Sequence, residues 1–140
     1  MANEVITYYS KNPPNKMALE NFDVKFSEEN RSCSDTIEVF LKIDEDDNVV
    51  EWSFDWVTSI ITTATSSIFG ESIVWMNVYD VLDLWYEYIV ELIKEEVTPR
   101  RQKSAIFGLL ATRNAIHKYL KDDKVEGFFD VLLSADDMCG

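Results

Sequence analysis

Histidine, cysteine, glycine and proline are all scarce in this chain: its 140 residues hold one histidine, two cysteines, four glycines and three prolines. With one imidazole and two distant thiols, a four-ligand zinc or iron–sulfur site is hard to assemble within a single chain. Cys33 and Cys139 do not make a disulfide framework, and a reduced, cytoplasmic setting is expected. So few glycines leave no phosphate-cradling loop. No serine sits in a Gly-x-Ser-x-Gly elbow, and the lone histidine, His117, has no evident orienting acid for a triad. These absences point away from an enzyme. Basic charge is also short, with 13 Lys and Arg against 26 Asp and Glu and a net charge of −13. Nucleic acid and an anionic membrane surface would both repel such a chain. No apolar run is long enough to span a bilayer, and the N-terminus has no apolar signal core.

What is abundant is apolar and aromatic bulk. The apolar fraction is 46%, with eight Phe, six Tyr and four Trp. That is ample for a core, so one ordered domain over residues 1–140 is expected. Eight of the thirteen basic residues lie between Lys94 and Lys124. A local basic patch could sit there on an acidic body, although charged helix faces mostly just face water.

Residues 2–10 suit a short helix or lead-in arm, which Asn12-Pro13-Pro14-Asn15 breaks. Phe22, Val24 and Phe26 alternate with polar residues as a first strand. A polar loop, SEENRSCSD, follows. Ile37, Val39, Leu41 and Ile43 then share one face of a second strand, and Asp44–Asn48 is an acidic turn. Val50, Trp52, Phe54 and Trp56 alternate again, so residues 36–57 read as an antiparallel hairpin. After Val57 the period becomes helical. Ile60, Ile61, Ala64 and Ile68 take one face, hydroxyl residues from Thr58 to Ser67 fill the rest, and Gly70 is the expected stop. The head of that helix, near Ser59, favours anions and thiolates. Asn77 can cap a helix whose stripe is Val78, Leu82, Trp85, Ile89 and Leu92. Thr98-Pro99 opens a long helix over residues 99–121, with Ala105, Leu109, Ile116 and Leu120 on one side. Val125, Phe128, Phe129, Leu132 and Leu133 mark an amphipathic helix at about 124–135. Three strands followed by helices predict an α+β fold, a three-stranded antiparallel sheet with helices packed on one face.

The residues offer one weak metal motif. Cys33 and Asp35 lie two apart before a strand, which can bring a thiolate and a carboxylate to one centre. His117 reads as a surface residue, and Cys139 as a solvated thiol near the terminus.

In order, these motifs resemble the IscU/NifU-type iron–sulfur cluster assembly scaffolds over about residues 8–121. Tyr9 with Asn12-Pro13-Pro14-Asn15 is similar to the family's His-Tyr-x-Asn-Pro-Arg-Asn signature. Ser32-Cys33-Ser34-Asp35 is similar to its Ala-Cys-Gly-Asp, and Ala64-Thr65-Ser66-Ser67 to its Ala-Ser-Ser-Ser. Lys103-Ser104-Ala105, with Ala111 and Ala115, resembles the helix that carries the third cysteine. The resemblance implies a cluster or zinc held by three cysteines, usually with an Asp and in some members a His. Cys33 and Asp35 match. The second cysteine falls at Ser59, its preceding glycine at Thr58, the third cysteine at Ser104 and the histidine at Lys103. A protonated hydroxyl is a poor soft-metal ligand, and Lys103 brings positive charge to a ligand position. Changes at Thr58 and Lys103 as well favour natural divergence over engineered cysteine replacement. The chaperone-recognition segment falls at Thr98-Pro99-Arg100-Arg101, with one proline in place of two.

The resemblance therefore implies a scaffold-family protein with a degenerate cofactor site (Cys33, Asp35, Ser59, Lys103, Ser104), where iron–sulfur cluster or zinc binding is weak or absent. It would act through partners such as the cysteine desulfurase. Cys33 could still take a sulfur atom or one metal bond. A scaffold-derived interaction module with no cluster chemistry is the alternative, using helix 99–121 or Phe128-Phe129. A mononuclear site at Cys33 and Asp35, completed by a partner chain, is a third reading. Under the first reading, Cys33, Asp35, Ser59 and Ser104 should converge in one shallow pocket.

Overall fold

Alternation of apolar residues from Val24 onward produces three sequential strands, and the computed structural model, which describes residues 3–32 and 34–132, joins them in the order β1-β2-β3. β1 is Val24–Asn30, β2 Asp35–Ile43 and β3 Val49–Asp55, each pair antiparallel. Register places Val39 opposite Phe54 and Leu41 opposite Trp52, and all four side chains are buried. The turn between β2 and β3 closes on Asp44, whose Oδ1 accepts from the amides of Asp46 and Asn48 at 2.9 Å. A side chain short enough to reach its own turn is why an acidic run serves there.

The remaining elements are helical: α1 Glu4–Lys11, α2 Ile60–Ile73, α3 Val78–Val81, α4 Tyr86–Ile93, a 3₁₀ turn Pro99–Arg101, α5 Gln102–Leu120 and α6 Phe128–Leu132. α2 and α5 pack together and lie against the sheet. The result is the expected α+β fold. Asn15 and Lys16 run along the free edge of β3, where the Phe54 amide donates to the Asn15 carbonyl at 3.2 Å. A covered edge removes a template for unwanted strand pairing.

Several boundaries differ from expectation. β1 runs to Asn30, so Ser27–Asn30 are strand and not loop. They are drawn in by pairing with Asp35–Glu38, which polar sequence does not signal. β3 stops at Asp55. Trp56 has φ +79° and is 65% exposed, so it leaves the face that Trp52 and Phe54 share. The helix after it departs from expectation at its first residue: Ile60 is 66% exposed, whereas Ala64 and Ile68 are buried as expected, and so are Thr62, Thr63, Thr65, Ser66 and Ser67. α2 is enclosed by the sheet, α1 and α5, so its small hydroxyl side chains are what fit. Gly70 is no stop but an interior residue of α2. A Cβ on it would lie 1.9 Å from Trp52 Cε3. The stripe from Val78 to Leu92 is split between α3 and α4, with Trp85 as the N-cap of α4 at extended φ and ψ. The stretch read as one helix over 99–121 is the 3₁₀ turn followed by α5, in which Leu120 is only partly buried. Val125 is 78% exposed and precedes α6, so it belongs to no buried stripe. The expected last helix appears as α6, Phe128–Leu132; its remaining residues, 133–135, and Cys139 lie outside the described residues.

One buried polar contact fixes the core aromatic. Trp52 Nε1 donates to Thr112 Oγ1 on α5 at 2.9 Å, and that hydroxyl donates to the Gly108 carbonyl at 2.7 Å. Thr112→Val keeps the shape and orphans the indole N–H. A loss of about 2 kcal/mol in urea unfolding is expected; an unchanged midpoint would show that the bond carries no weight.

Candidate functional site

At the junction between β3 and α2, Asp35 meets Thr58 beside Ser59. The chain turns sharply at Trp56, whose amide donates to Asp55 Oδ1 at 2.8 Å. Val57 is buried, and its carbonyl accepts from Lys16 Nζ at 2.8 Å. Asp35, at the start of β2, is 4% exposed and reaches across to this junction. Its Oδ1 accepts from the Thr58 amide at 3.3 Å and from the Thr36 amide at 3.0 Å. Asp35 thus puts a carboxylate beside the N-terminus of α2, where the helix dipole favours negative charge. Ser59 is the N-cap of α2, with extended φ and ψ, yet its side chain makes no capping bond.

The motifs that carry the family resemblance are joined here. Asn15 Nδ2 donates to the Ser67 carbonyl at 3.0 Å, and Ser67 Oγ donates back to Asn15 Oδ1. The asparagine that closes the Asn-Pro-Pro-Asn segment is therefore tied to the hydroxyl-rich helix. On the other side of α2, Gly108 of α5 meets Ser66. A Cβ at Gly108 would lie 2.5 Å from Ser66 Oγ. Ser104 lies one turn before Gly108 on α5 and is 8% exposed.

Asp35 bonds the Thr58 amide, one residue before Ser59. Ser104 is on the helix that packs closely against α2. Lys103 behaves differently: its Nζ lies 5.4 Å from the centroid of the Phe128 ring, a cation–π contact with the C-terminal helix. Cys33 lies outside the described residues. Among the described residues, no three His, Cys, Asp or Glu side chains gather as a metal-binding group.

Several buried polar side-chain atoms on these elements have no hydrogen-bond partner. Asp35 Oδ2, Ser59 Oγ, Thr62 Oγ1 and Ser66 Oγ make no hydrogen bond, and neither does the side chain of Asn30, whose Cα pairs with Asp35. Among the described residues the donors near this junction are thus one carboxylate and neutral hydroxyls. Hydroxyls remain protonated near neutral pH and bind thiophilic metals poorly. Without Cys33, which lies outside the described residues, this set supplies no soft donor for a cluster or a zinc ion.

Sequence reasoning placed His117 on the surface, and the structure corrects this. It is 6% exposed, with Nδ1 2.8 Å from Asp122 Oδ2 and Nε2 2.7 Å from Glu126 Oε2. The available signal was the run Asp122, Asp123 and Glu126, five to nine residues on, close enough to fold back once the helix ends.

An antiparallel sheet whose last strand feeds a buried helix makes this an α+β domain. A profile of the NifU-like N terminal domain matches residues 1–126. The chain belongs to that family, as its motif order implied. Solved structures agree on the fold. A putative iron–sulfur cluster assembly scaffold protein for the SUF system from the thermophile Fervidobacterium islandicum AW-1 is 18% identical. It superposes with a TM-score of 0.71 over 81% of this chain and 95% of that one. The N-terminal part of a nitrogen-fixing NifU-like protein from Brucella abortus is 15% identical, with a TM-score of 0.69 over 87% of this chain and 95% of its own. No curated protein matches the sequence. No helix among the described residues is long and apolar enough to cross a membrane.

Proposed function

We propose that this chain is a divergent, non-catalytic member of the iron–sulfur cluster assembly scaffolds, acting through protein partners with a site too poor in soft donors to hold a cluster alone. The reading rests on the donor set. Serines stand at two positions where the family resemblance implies cysteines, and Ser59 Oγ is a buried oxygen without a partner. Asp35 lies against the β3–α2 junction and Ser104 is carried by the helix packed on α2, so the donors they offer are one carboxylate and hydroxyls.

The surface beside the pocket supports action through a partner. Trp56 and Ile60 flank Thr58 and Ser59 and are 65% and 66% exposed. Large apolar side chains left in water beside a site suit a protein contact. A cysteine desulfurase of the same host is the first partner to test, in a pull-down with the wild-type chain and Trp56→Ala/Ile60→Ala. Retention by the wild type and loss in the variant is expected. Anaerobic reconstitution with iron and sulfide is expected to leave the wild type colourless. Visible absorbance with bound iron would overturn the incomplete-site reading. Absence of any desulfurase complex would favour the interaction-module reading, in which the same exposed residues engage a protein outside cluster assembly.

A further inference from the structure

The chain after α5 folds back along that helix as a strap, and charge holds it there. α5 ends at Leu120; its C-cap Lys121 adopts a left-handed φ of +57°, and Asp123 adopts +61°. These two residues reverse the chain. Glu126 is then held at three levels. Its amide donates to Asn114 Oδ1 at 2.7 Å, and its carbonyl accepts from Asn114 Nδ2 at 3.0 Å. Its carboxylate takes both Arg113, through Nε and Nη2, and His117, through Nε2. Asp122 receives the other nitrogen of His117. Beyond this anchor Phe128 stacks on Phe107, with centroids 6.0 Å apart and planes at 21°, and Val131 is fully buried.

His117 therefore sits between two carboxylates, one at each ring nitrogen. An ionised carboxylate only accepts hydrogen bonds, so both contacts are made only by an imidazolium with two N–H donors. The neutral ring has one donor and turns a lone pair toward the other carboxylate. The surrounding charges do not supply a substitute. From α5, Arg113 is committed to Glu126 and to the Leu84 carbonyl, and Lys118 Nζ to the Lys25 carbonyl on β1. From β1, Glu28 bonds Asn114, and burial raises its carboxyl above the usual range although Asn114 works against the shift. Lys121, Lys124 and Asp123 line the adjoining cavity and are exposed.

We propose that His117 is a proton-dependent latch for the strap over residues 122–132. Charged, it holds both Asp122 and Glu126 against α5. On deprotonation one of these contacts is lost and the strap loosens, uncovering Phe107 and releasing Lys103 from Phe128. The acid side has its own limit. The hydrogen bond from His117, then the one from the Lys124 amide, holds the Asp122 carboxyl below the usual carboxylate value. That contribution is present above the ordinary value and is lost as pH falls through the depressed one.

Amide hydrogen exchange on the intact chain, corrected for intrinsic rates, tests the latch between about pH 6 and about pH 9.5. Protection at residues 126–131 should fall roughly tenfold or more, while Leu109–Ala111 inside α5 stays constant. In His117→Gln, strap protection should be low at both ends and independent of pH. If that variant does not fold, the wild type still decides the matter. Its Phe128 ring and Lys103 side-chain NMR signals should follow the His117 ring titration on one curve. Flat Phe128 signals while the imidazole titrates, pH-independent strap protection in the wild type, or a pH dependence that survives in folded His117→Gln would each overturn the proposal.

Discussion

Replacing Ser59 and Ser104 by cysteine together, with Cys33 in place, is expected to produce a chain that takes up zinc where the wild type does not. Ser59 caps α2, and its Oγ is buried without a partner. A thiol there would have its thiolate stabilised by the first turn of α2, a gain that serine cannot make because its hydroxyl does not ionise near neutral pH. Ser104 is 8% exposed, and cysteine is among the side chains most at ease in a buried position. Competition against a chromophoric chelator should show zinc affinity rising by about two orders of magnitude or more over the wild type. The single variants should fall between. Adding Lys103→His should raise affinity again, since a neutral imidazole would replace a cation. A folded triple-cysteine chain with wild-type affinity would mean that these positions do not share a centre, and the family correspondence at the site would fail with it.

The second large effect lies in the core. Gly70→Ala should cost about 3 kcal/mol or prevent folding. The added Cβ would fall 1.9 Å from Trp52 Cε3, 2.3 Å from Cζ3 and 2.4 Å from Cδ2. The indole cannot simply rotate away, because Nε1 is bonded to Thr112 and the ring packs on Phe54 and Phe69 with centroids 5.3 and 6.3 Å away. Combining Gly70→Ala with Trp52→Leu should cost less than the two changes added together, since the smaller side chain vacates the space the methyl needs. Urea unfolding of the four chains would measure that coupling. Strict additivity would show that the glycine is not there for the tryptophan.

The two experiments read different parts of the molecule. The cysteine variants ask whether Ser59 and Ser104 can share a metal centre, and the glycine variant asks what holds α2 against the sheet. Trp52 connects the questions. It sits on the strand that leads to the Thr58–Ser59 junction, bonds to α5 four residues from Gly108, and fills the space beneath α2. Loss of packing there would disturb both helices that bound the site.

By itself the sequence determined the kind of fold. Alternation in Ile37–Ile43 and Val50–Phe54 specifies two paired strands, because a strand presents successive side chains to opposite faces and only one face can be buried. The acidic turn and the break at Pro13-Pro14 are local signals, and they hold because backbone chemistry within a few residues sets them; Thr98-Pro99 opens only a 3₁₀ turn, with no capping bond from Thr98, before α5 begins at Gln102. The order of the site motifs was legible for the same reason. What the tertiary structure decided is every feature whose partner is distant in sequence. Thr62 to Ser67 are buried because α1, α5 and the sheet enclose α2, which no helical period reveals. Gly70 reads as a terminator until Trp52 is placed over it. His117 reads as a surface residue until Asp122 and Glu126 return to meet it, and Lys103 reads as facing the site until Phe128 draws its charge away. Periodicity reports which face of one element is apolar; it carries no information about a neighbour that arrives from elsewhere in the chain.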